Sequence, residues 1–255
     1  MFALERQKRI LEILESEGSV SVNKLSATFD VTEETVRRDL EKLEKQECLK
    51  RTHGGAVSVT DSSSTHEASL EKRKLINVEA KQSIAREAVR YVTEGDTIFL
   101  DASTTTFFMA KEIKQMKNIT VITNSLRVVN ELCGAEGIKV ISVGGLVSHN
   151  QSFVGSLAER SIEENFFVSK MFFSSKGITA DGGVLESNEG ECGIKKKMMK
   201  NAKLKYYLCD KSKMGSIGFV KLASFEDIDF VVTDTEPEGA LKQKFDEFEI
   251  EIVRI

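Results

Sequence analysis

From about residue 75 onward the chain alternates short apolar runs with amphipathic segments, and this alternation restricts the fold more than any other feature of the sequence. Most of the runs are continuously apolar, which is typical of strands covered on both faces. We predict strands at residues 97–100, 119–123, 139–143, 171–174, 206–209, 230–233 and 249–253. We predict helices at residues 78–92, 105–116, 126–133, 157–164, 191–202 and 238–247. Strands and helices that alternate in this way indicate a parallel-rich α/β sheet with helices on both of its faces.

The N-terminal zone has a different pattern, which predicts a helix-turn-helix. Its apolar periodicity predicts helices at residues 4–17, at residues 22–29 and onward from an N-cap at Thr32. In the third helix one buried stripe is predicted at Val36, Leu40 and Leu43. Two helices joined by a tight turn and preceded by a packing helix are typical of this DNA-binding motif.

The exposed face of the third helix supplies the candidate contacts to bases. Arg38 points away from the buried stripe, so we expect it to contact guanine, with Thr35 nearby. Arg37 lies on the flank and is a candidate contact to phosphate. Glu34 precedes Arg38 by one helical turn, and the sequence leaves open whether it pairs with Arg38 or accepts a hydrogen bond from cytosine.

A short β-ribbon is predicted directly after this helix. Strands at residues 49–51 and 56–59 flank a Gly54-Gly55 turn, and such a wing can lie against phosphate. Together with the third helix it completes the set of candidate DNA contacts, which are Thr32, Thr35, Arg37, Arg38, Lys42, Lys50, Arg51, His53 and Gly54.

Charge by itself does not identify a nucleic-acid-binding protein here. The chain has 36 Lys and Arg against 40 Asp and Glu, and residues 1–56 hold ten basic against eleven acidic residues. A claim of DNA binding therefore depends on the motif and on where its basic residues lie.

A hydroxyl-rich segment follows the first predicted strand of the large zone and indicates an anion site. Residues 101–106 read DASTTT, and a helix begins within them. A helix N-terminus offers free N–H donors, and open α/β sheets bind ligands at the carboxyl ends of their strands. The alternative is that Ser103 or Thr104 serves only as an N-cap.

Polar or glycine-rich loops follow several other predicted strands, and we expect them to meet at one crevice. The candidate effector contacts are Asp101, Ser103, Thr104, Thr105, Thr123, Asn124, Gly144, Gly145, Lys176, Gly177, Glu191, Lys195 and Lys213. The lysines are possible partners for a phosphate. Glu191 and Lys195 lie one turn apart on one helix face, where they form either a plain salt bridge or a pair that orients sugar hydroxyls.

Both zones resemble the DeoR family of bacterial transcription regulators. The resemblance is carried by TVRRDL at residues 35–40, RTHGGA at residues 51–56 and DASTTT at residues 101–106. It also includes VITNSLRVVNEL and SKGITADGG further along the chain. The resemblance implies a fold of the α/β class, with a small N-terminal winged helix-turn-helix and a larger effector domain similar to ribose-5-phosphate isomerase and the coenzyme A transferases.

The resemblance also implies a domain organisation and a set of partners. We expect a DNA-binding domain at residues 1–57, a linker at residues 58–74 and an effector and oligomerisation domain at residues 75–255. In the isomerase-like fold the hydroxyl loop holds a sugar phosphate, and Ser103, Thr104 and Thr105 are the matching residues, with Asp101 beside them. The partners would be double-stranded operator DNA, a phosphorylated sugar and further copies of the chain in a dimer or tetramer.

The sequence favours a transcription regulator that represses a carbohydrate-utilisation operon and is released by a phosphorylated sugar. One alternative is a sugar-phosphate isomerase with a DNA-binding head, for which Asp101, Asp181 or Glu191 would be the general base. Another is an architectural DNA-binding protein without an effector.

Composition adds several expectations about location and chemistry. No uncharged apolar run approaches the roughly 18 residues of a membrane helix, and the start MFALERQKR lacks the apolar core of a secretory signal. The four cysteines include no C-x-x-C pair, which argues against a disulfide framework and a structural zinc site. We expect a cytoplasmic protein that uses no metal or cofactor and does not bind a membrane.

Overall fold

The computed structural model describes residues 2–46, 48–57 and 70–255, and the chain divides into two compact units, residues 1–78 and residues 79–255. The helices in the described residues are α1 (Ala3–Glu17), α2 (Val22–Phe29), α3 (Glu33–Lys45), α4 (Leu70–Leu75), α5 (Val78–Val89), α6 (Thr104–Ile113), α7 (Leu126–Leu132), α8 (Ser156–Asn165), α9 (Glu189–Lys200) and α10 (Gly239–Glu247). The strands are β1 (Ser19–Ser21), β2 (Lys50–Thr52), β3 (Gly55–Val57), β4 (Thr97–Leu100), β5 (Ile119–Thr123), β6 (Ile138–Ser142), β7 (Leu146–Val147), β8 (Phe153–Val154), β9 (Val168–Phe173), β10 (Gly177–Thr179), β11 (Gly183–Glu186), β12 (Ala202–Cys209), β13 (Val220–Ala223), β14 (Phe230–Thr233) and β15 (Glu251–Arg254).

Helices α1 to α3 pack around the apolar core of the N-terminal unit, as predicted. The Thr32 side chain caps α3, and the negative charges of Glu33 and Glu34 in the first turn interact favourably with the positive end of the helix dipole. The predicted stripe is buried in one cluster with residues of α1 and α2, and its members are Val36, Leu40 and Leu43.

The wing has three strands rather than the predicted two. β2 and β3 lie within one residue of the predicted starts, and residues 58–59 of the predicted second strand lie outside the described residues. The additional strand β1 pairs antiparallel with β3 and gives the sheet order β1-β3-β2. Gly55 is required where they meet, because a Cβ atom there would lie 1.9 Å from the carbonyl oxygen of Val20. β1 is only three residues long, too short for a detectable alternation.

A buried ion pair fixes α3 against α1. The Asp39 carboxylate accepts a hydrogen bond from Arg6 Nε at 2.5 Å and another from Gln7 Nε2 at 2.7 Å. All three side chains are buried. The face of α3 that carries Asp39 therefore lies inward, and the opposite face of the helix lies at the surface.

The predicted linker at residues 58–74 has helical structure at its end. Residues 58–69 lie outside the described residues. From Leu70 the chain forms α4, in which Leu70 is buried, and Leu75 packs against the N-terminal cluster. The last residues of the predicted linker are therefore helical, and the two leucines give this helix apolar positions to bury.

The C-terminal unit is built on a seven-stranded sheet in which every pairing is parallel, as predicted. The strand order is β15-β14-β12-β9-β4-β5-β6. All seven predicted strands are present, and those predicted at residues 97–100, 119–123 and 230–233 have the predicted bounds. β9 begins three residues earlier than predicted and β12 four residues earlier. The apolar runs are interrupted near the start of each strand, by Ser169 and Lys170 in β9 and by Lys203 and Lys205 in β12.

Two apolar cores cover the two faces of this sheet. Ile98 and Leu100 of β4 lie in the cluster shared with α5, α6 and α7, whereas Phe99 lies in the cluster shared with α8, α9 and α10. Successive side chains of a strand point to opposite faces, so both faces of β4 must be apolar. The structure thus confirms the helix-covered parallel sheet.

Two smaller sheets were not predicted. One is antiparallel, with the order β10-β11-β13, and the other is the β7–β8 hairpin. Their strands are two to four residues long, too short to show a clear period. None of the described helices is long and apolar enough to cross a membrane.

We expect Asp39→Ala to destabilise the N-terminal unit by about 3–5 kcal/mol, because it removes the buried carboxylate that accepts from Arg6 and Gln7. Hydrogen exchange of α1 and α3 peptides in the full chain measures the effect. Glu12→Ala is the matched control, since its pair with Arg9 is exposed and should contribute less than about 1 kcal/mol. Equal exchange rates in the two variants would contradict a stabilising role for the buried pair.

Candidate functional site

The outer face of α3 carries the candidate contacts to bases. Arg38 is 77% exposed along its side chain, and Arg37 is also exposed. Each is paired with a carboxylate one turn earlier: Arg37 with Glu33 at 2.7 Å and Arg38 with Glu34 at 3.3 Å. Of the two roles left open for Glu34, the structure of the free chain contains the surface ion pair. Lys42 is exposed on the same helix.

The two threonines at the start of α3 have different environments. The Thr32 hydroxyl lies 2.9 Å from the Thr35 hydroxyl and accepts from the Thr35 N–H at 3.3 Å. The Thr32 side chain therefore serves as the N-cap of α3. Thr35 is half-buried beside it, at the end of the helix that a recognition helix directs toward bases.

The wing presents its predicted phosphate contacts at the surface. Lys50, Arg51, His53 and Gly54 are all exposed. Glu44 of α3 accepts from the Arg51 N–H at 2.9 Å and lies 4.0 Å from its guanidinium, which ties β2 to the recognition helix. The wing and the exposed face of α3 are thus held in one unit.

The hydroxyl-rich segment forms the start of α6 at the carboxyl end of β4. Ser103 is the N-cap, because its Oγ accepts from the Thr106 N–H at 3.2 Å. Thr106, which sequence reasoning did not select, donates from its hydroxyl to Asp101 at 2.8 Å. Thr104 and Thr105 follow the cap, and their N–H groups have no intrahelical acceptor in the first turn. Within the described residues their hydroxyls make no hydrogen bond.

A buried ammonium holds this segment in place. Lys195 Nζ lies 3.0 Å from Asp101 Oδ2, donates to the Ser174 carbonyl at 2.7 Å and also donates to Glu186. Asp101 receives further hydrogen bonds from the backbone N–H groups of Ser103 and Ser174, both at 3.1 Å. Asp101, Glu186 and Lys195 are all buried. We call these three residues the Lys195 cluster.

Opposing effects set the protonation of the Lys195 cluster. Burial alone raises the pKa of the Asp101 carboxyl, but the Lys195 ammonium and the nearby donors outweigh it and hold that pKa below its usual value. Burial alone lowers the pKa of Lys195, but Asp101 and Glu186 outweigh it and raise that pKa above its usual value. Both groups are therefore ionised at neutral pH.

Glu191 has a separate environment and does not pair with Lys195. Its carboxylate accepts from Asn124 Nδ2 at 3.3 Å and from the Ser152 hydroxyl. Burial raises its pKa, and Lys195 and Ser152 oppose that rise in part. In the described part of the chain no ion pair joins Glu191 to Lys195, so the simple salt bridge considered from their spacing does not form.

Asn124 has one buried atom without a partner. Its Nδ2 group donates to Glu191 and, at 3.3 Å, to the Phe153 carbonyl, so neighbouring acceptors set the orientation of the amide. Its Oδ1 atom is buried and has no hydrogen-bond partner among the described residues. A buried amide oxygen of this kind is a ready acceptor for a ligand hydroxyl.

The remaining predicted effector contacts differ in how accessible they are. Thr123 uses its hydroxyl within the fold, donating to the Leu100 carbonyl at 2.7 Å and accepting from the Ser125 N–H at 3.0 Å. Lys213 is half-buried, and its ammonium donates to the Ser175 carbonyl. Lys176 is half-buried and makes no ion pair within the residues that the structure describes.

The three predicted glycines have different reasons for being glycine. A Cβ at Gly177 would lie 2.2 Å from the Ser216 carbonyl oxygen, and one at Gly145 would lie 2.9 Å from Ala158 Cβ. Both positions are therefore explained by packing. Gly144 has a φ of 70°, and the space at its Cβ position is open.

Sequence reasoning missed the groups that complete the site. They are Thr106, Ser152, Ser174 and Glu186, and a cavity of about 350 Å³ beside the β7–β8 hairpin. Thr106 belonged to the DASTTT segment and could have been found there. The others lie on strands and loops whose pairing is not visible in the local sequence.

Comparisons with known proteins match both units. Residues 6–62 match the family model described as DeoR-like helix-turn-helix domain, and residues 76–235 match the model described as DeoR C terminal sensor domain. The chain is 42% identical over 256 residues to the uncharacterized HTH-type transcriptional regulator YulB of Bacillus subtilis, with 100% of this chain and 98% of the relative covered.

Two further relatives are named after operons. One is the L-fucose operon activator of Haemophilus influenzae, 36% identical, with 90% of this chain and 91% of the relative covered. The other is the putative aga operon transcriptional repressor of Escherichia coli O157:H7, which is 33% identical, with 90% of this chain and 86% of the relative covered. Among solved structures, ribose 5-phosphate isomerase A of Methanocaldococcus jannaschii is similar at 17% identity and a TM-score of 0.41, covering 54% of this chain and 55% of that one.

A winged helix-turn-helix unit combined with an α/β sensor unit defines a DNA-binding transcription regulator. The chain belongs to the DeoR family of such regulators. The resemblance seen in the sequence motifs is thereby confirmed.

We expect Lys195→Met to destabilise the C-terminal unit by about 3–5 kcal/mol at pH 7, because Asp101 and Glu186 lose their shared counter-ion. The folded-state pKa of Asp101, which Lys195 holds down in the wild type, should then rise, so the deficit should shrink as the pH falls toward about 4. Urea unfolding followed by tyrosine fluorescence measures this, since all three tyrosines lie in the C-terminal unit and the chain has no tryptophan.

Lys197→Met is the control for that experiment. Lys197 lies on the same helix but pairs with Glu163 at the surface, at 2.7 Å. Its loss should destabilise the unit far less than the loss of Lys195 does, at every pH, because solvent screens a surface pair. A Lys195→Met deficit that stays constant with pH would contradict the assigned charges.

Proposed function

We propose that the chain represses a carbohydrate-utilisation operon in the cytoplasm and that a phosphorylated sugar, bound by the C-terminal unit, releases it from operator DNA. The observation that carries this proposal is the hydroxyl loop at the start of α6, where the hydroxyls of the buried Thr104 and Thr105 make no hydrogen bond within the described residues. The naming of one relative after the L-fucose operon supports the class of effector. That relative is named an activator and another a repressor, so the direction of regulation is part of the proposal.

For DNA binding we propose that α3 enters the major groove and that the wing contacts phosphate. Arg38 would bind guanine after leaving Glu34, and a single exposed pair of this kind costs only about 0.2–0.5 kcal/mol to break. Arg37, Lys42 and Arg51 would contact the backbone. Since one small unit makes few contacts, we propose that the chain acts as a dimer or tetramer on repeated half-sites.

For effector binding we propose that the phosphate lies at the start of α6. Thr104 and Thr105 would donate to it from their hydroxyls and from first-turn N–H groups, where the helix dipole favours an anion. Lys176 and Lys213 are the cationic partners that remain, because Lys195 is already surrounded by carboxylates and a carbonyl. The ligand shifts DNA affinity only if it binds the released arrangement more tightly than the bound one.

The isomerase alternative is less well supported. Of its candidate bases, Asp101 is buried and accepts hydrogen bonds from three groups besides Lys195. Asp181 lies exposed in a turn. Relatives that align over most of the chain are named as transcription regulators.

We expect Arg38→Ala to weaken binding to the DNA that the wild type selects from a random pool by about 1–3 kcal/mol, and to relax its base preference. Fluorescence anisotropy with selected and scrambled duplexes at fixed salt measures both effects. Arg9→Ala, on the exposed face of α1, is the control. An equal loss on the two duplexes would make Arg38 a phosphate contact.

We expect Thr104→Val with Thr105→Val to remove the response to sugar phosphates while DNA binding is kept. Valine keeps the branched shape of threonine and carries a methyl group in place of the hydroxyl, so the start of α6 should still form. The measurement is release of bound duplex by pentose and hexose phosphates. A wild-type response in the double variant would refute the phosphate site at this loop.

A further inference from the structure

The cavity beside the β7–β8 hairpin has the chemistry of a site for a neutral polyhydroxylated group. Its volume is about 350 Å³, within the range of small-molecule sites. Its polar lining comprises Ser148, His149, Asn150 and Asn188, and Leu146 and Val154 contribute apolar surface. Among the described residues, no lysine, arginine, aspartate or glutamate lines it. A phosphate would find no cation there, whereas hydroxyl groups would find both donors and acceptors.

Two of these polar groups have unused hydrogen-bonding capacity. The His149 imidazole is exposed and makes no hydrogen bond or ion pair within the described part of the chain. Asn188 caps α9 through Oδ1, which accepts from the Glu191 N–H at 3.0 Å. Its Nδ2 group has no partner among the residues described. An amide fixed at one end by a cap is well positioned to donate from the other.

The cavity wall is connected to the buried groups of the effector site by side-chain hydrogen bonds. Ser148 Oγ lies 2.7 Å from Ser152 Oγ, and Ser152 in turn donates to Glu191. Glu191 accepts from Asn124, whose Oδ1 atom is the buried acceptor without a partner. A chain of four polar side chains therefore leads from the cavity to an unsatisfied buried atom.

Helix α9 links one wall of this cavity to a residue that holds the hydroxyl loop. Asn188 caps its start, and Lys195, two turns later, contacts Asp101 at the base of the loop. At 1.5 Å of rise per residue the two positions lie about 10 Å apart along the axis. One elongated sugar phosphate can extend across such a separation.

We propose that the β7–β8 cavity binds the hydroxylated end of the effector, and that His149 and Asn188 determine which sugar is recognised. The inference rests on the proposed function, because it assigns the phosphate to the start of α6 and the sugar hydroxyls to the cavity. Sugars that differ only in hydroxyl geometry are then distinguished by which of these groups remain unpaired.

The test uses His149→Ala and Asn188→Asp in the full-length chain. His149→Ala removes an exposed side chain, and Asn188→Asp keeps the cap acceptor while removing the amide donor. Asn165→Asp is the matched control, because it makes the same change at an exposed amide at the end of α8. Calorimetric titrations with ribose 5-phosphate, fructose 1-phosphate, fructose 6-phosphate, glucose 6-phosphate and inorganic phosphate provide the affinities.

The expected result is a loss that depends on the sugar. Each cavity variant should bind the wild type's preferred sugar phosphate about tenfold more weakly, which is the effect of one lost hydrogen bond. Each should also reduce the differences in affinity among the sugar phosphates. Binding of inorganic phosphate should change less than about twofold, and Asn165→Asp should match the wild type throughout.

Different failures have different meanings. If the wild type binds no sugar phosphate, the proposed function fails and the cavity assignment fails with it. If the wild type binds one and both cavity variants bind it equally well, only the cavity assignment is overturned. It is also overturned if the variants change the molar mass measured by light scattering but not the sugar affinities, which would make the hairpin, with its exposed Leu146, a contact between copies.

Discussion

The C-terminal unit depends on the burial of one ammonium group, that of Lys195, against the carboxylates of Asp101 and Glu186. This contact joins α9 to the carboxyl end of β4 and to β11, three elements that belong to different layers of the unit. Breaking one partner of such a cluster leaves an uncompensated buried charge, which is among the largest single penalties available to a fold. The geometry of the hydroxyl loop therefore follows from where Lys195 lies.

In both units the polar residues that stabilise the fold are different from those proposed to bind DNA or the effector. In the C-terminal unit Asp101 and Thr106 form the base of the loop by a side-chain hydrogen bond, while the neighbouring Thr104 and Thr105 are the residues proposed to bind the phosphate. In the N-terminal unit Asp39 binds Arg6 inside, while Arg38, its neighbour in sequence, faces outward. Successive residues of a helix point about 100° apart, so adjacent positions can take opposite roles.

Much of the architecture could be predicted from the sequence. Strands such as 97–100 were predicted with their correct bounds because they are continuously apolar, and α2 was predicted correctly because Ser21 caps it. The β10-β11-β13 sheet was missed because its strands are only three or four residues long and show no clear period. In the effector site the DASTTT segment was identified from its hydroxyls, but Thr123, Gly145 and Gly177 turned out to be occupied by packing and backbone contacts.

The sequence by itself determined the two-unit organisation, the helix-turn-helix, the parallel sheet and the family, because these depend on local periodicity, capping residues and contiguous motifs. Only the tertiary structure decided that Lys195 pairs with Asp101 and Glu186 rather than with Glu191, and that Ser152 and Asn124 are the partners of Glu191. These contacts join residues far apart along the chain. Their formation depends on strand order and on the position of α9 above the sheet, which no local pattern encodes.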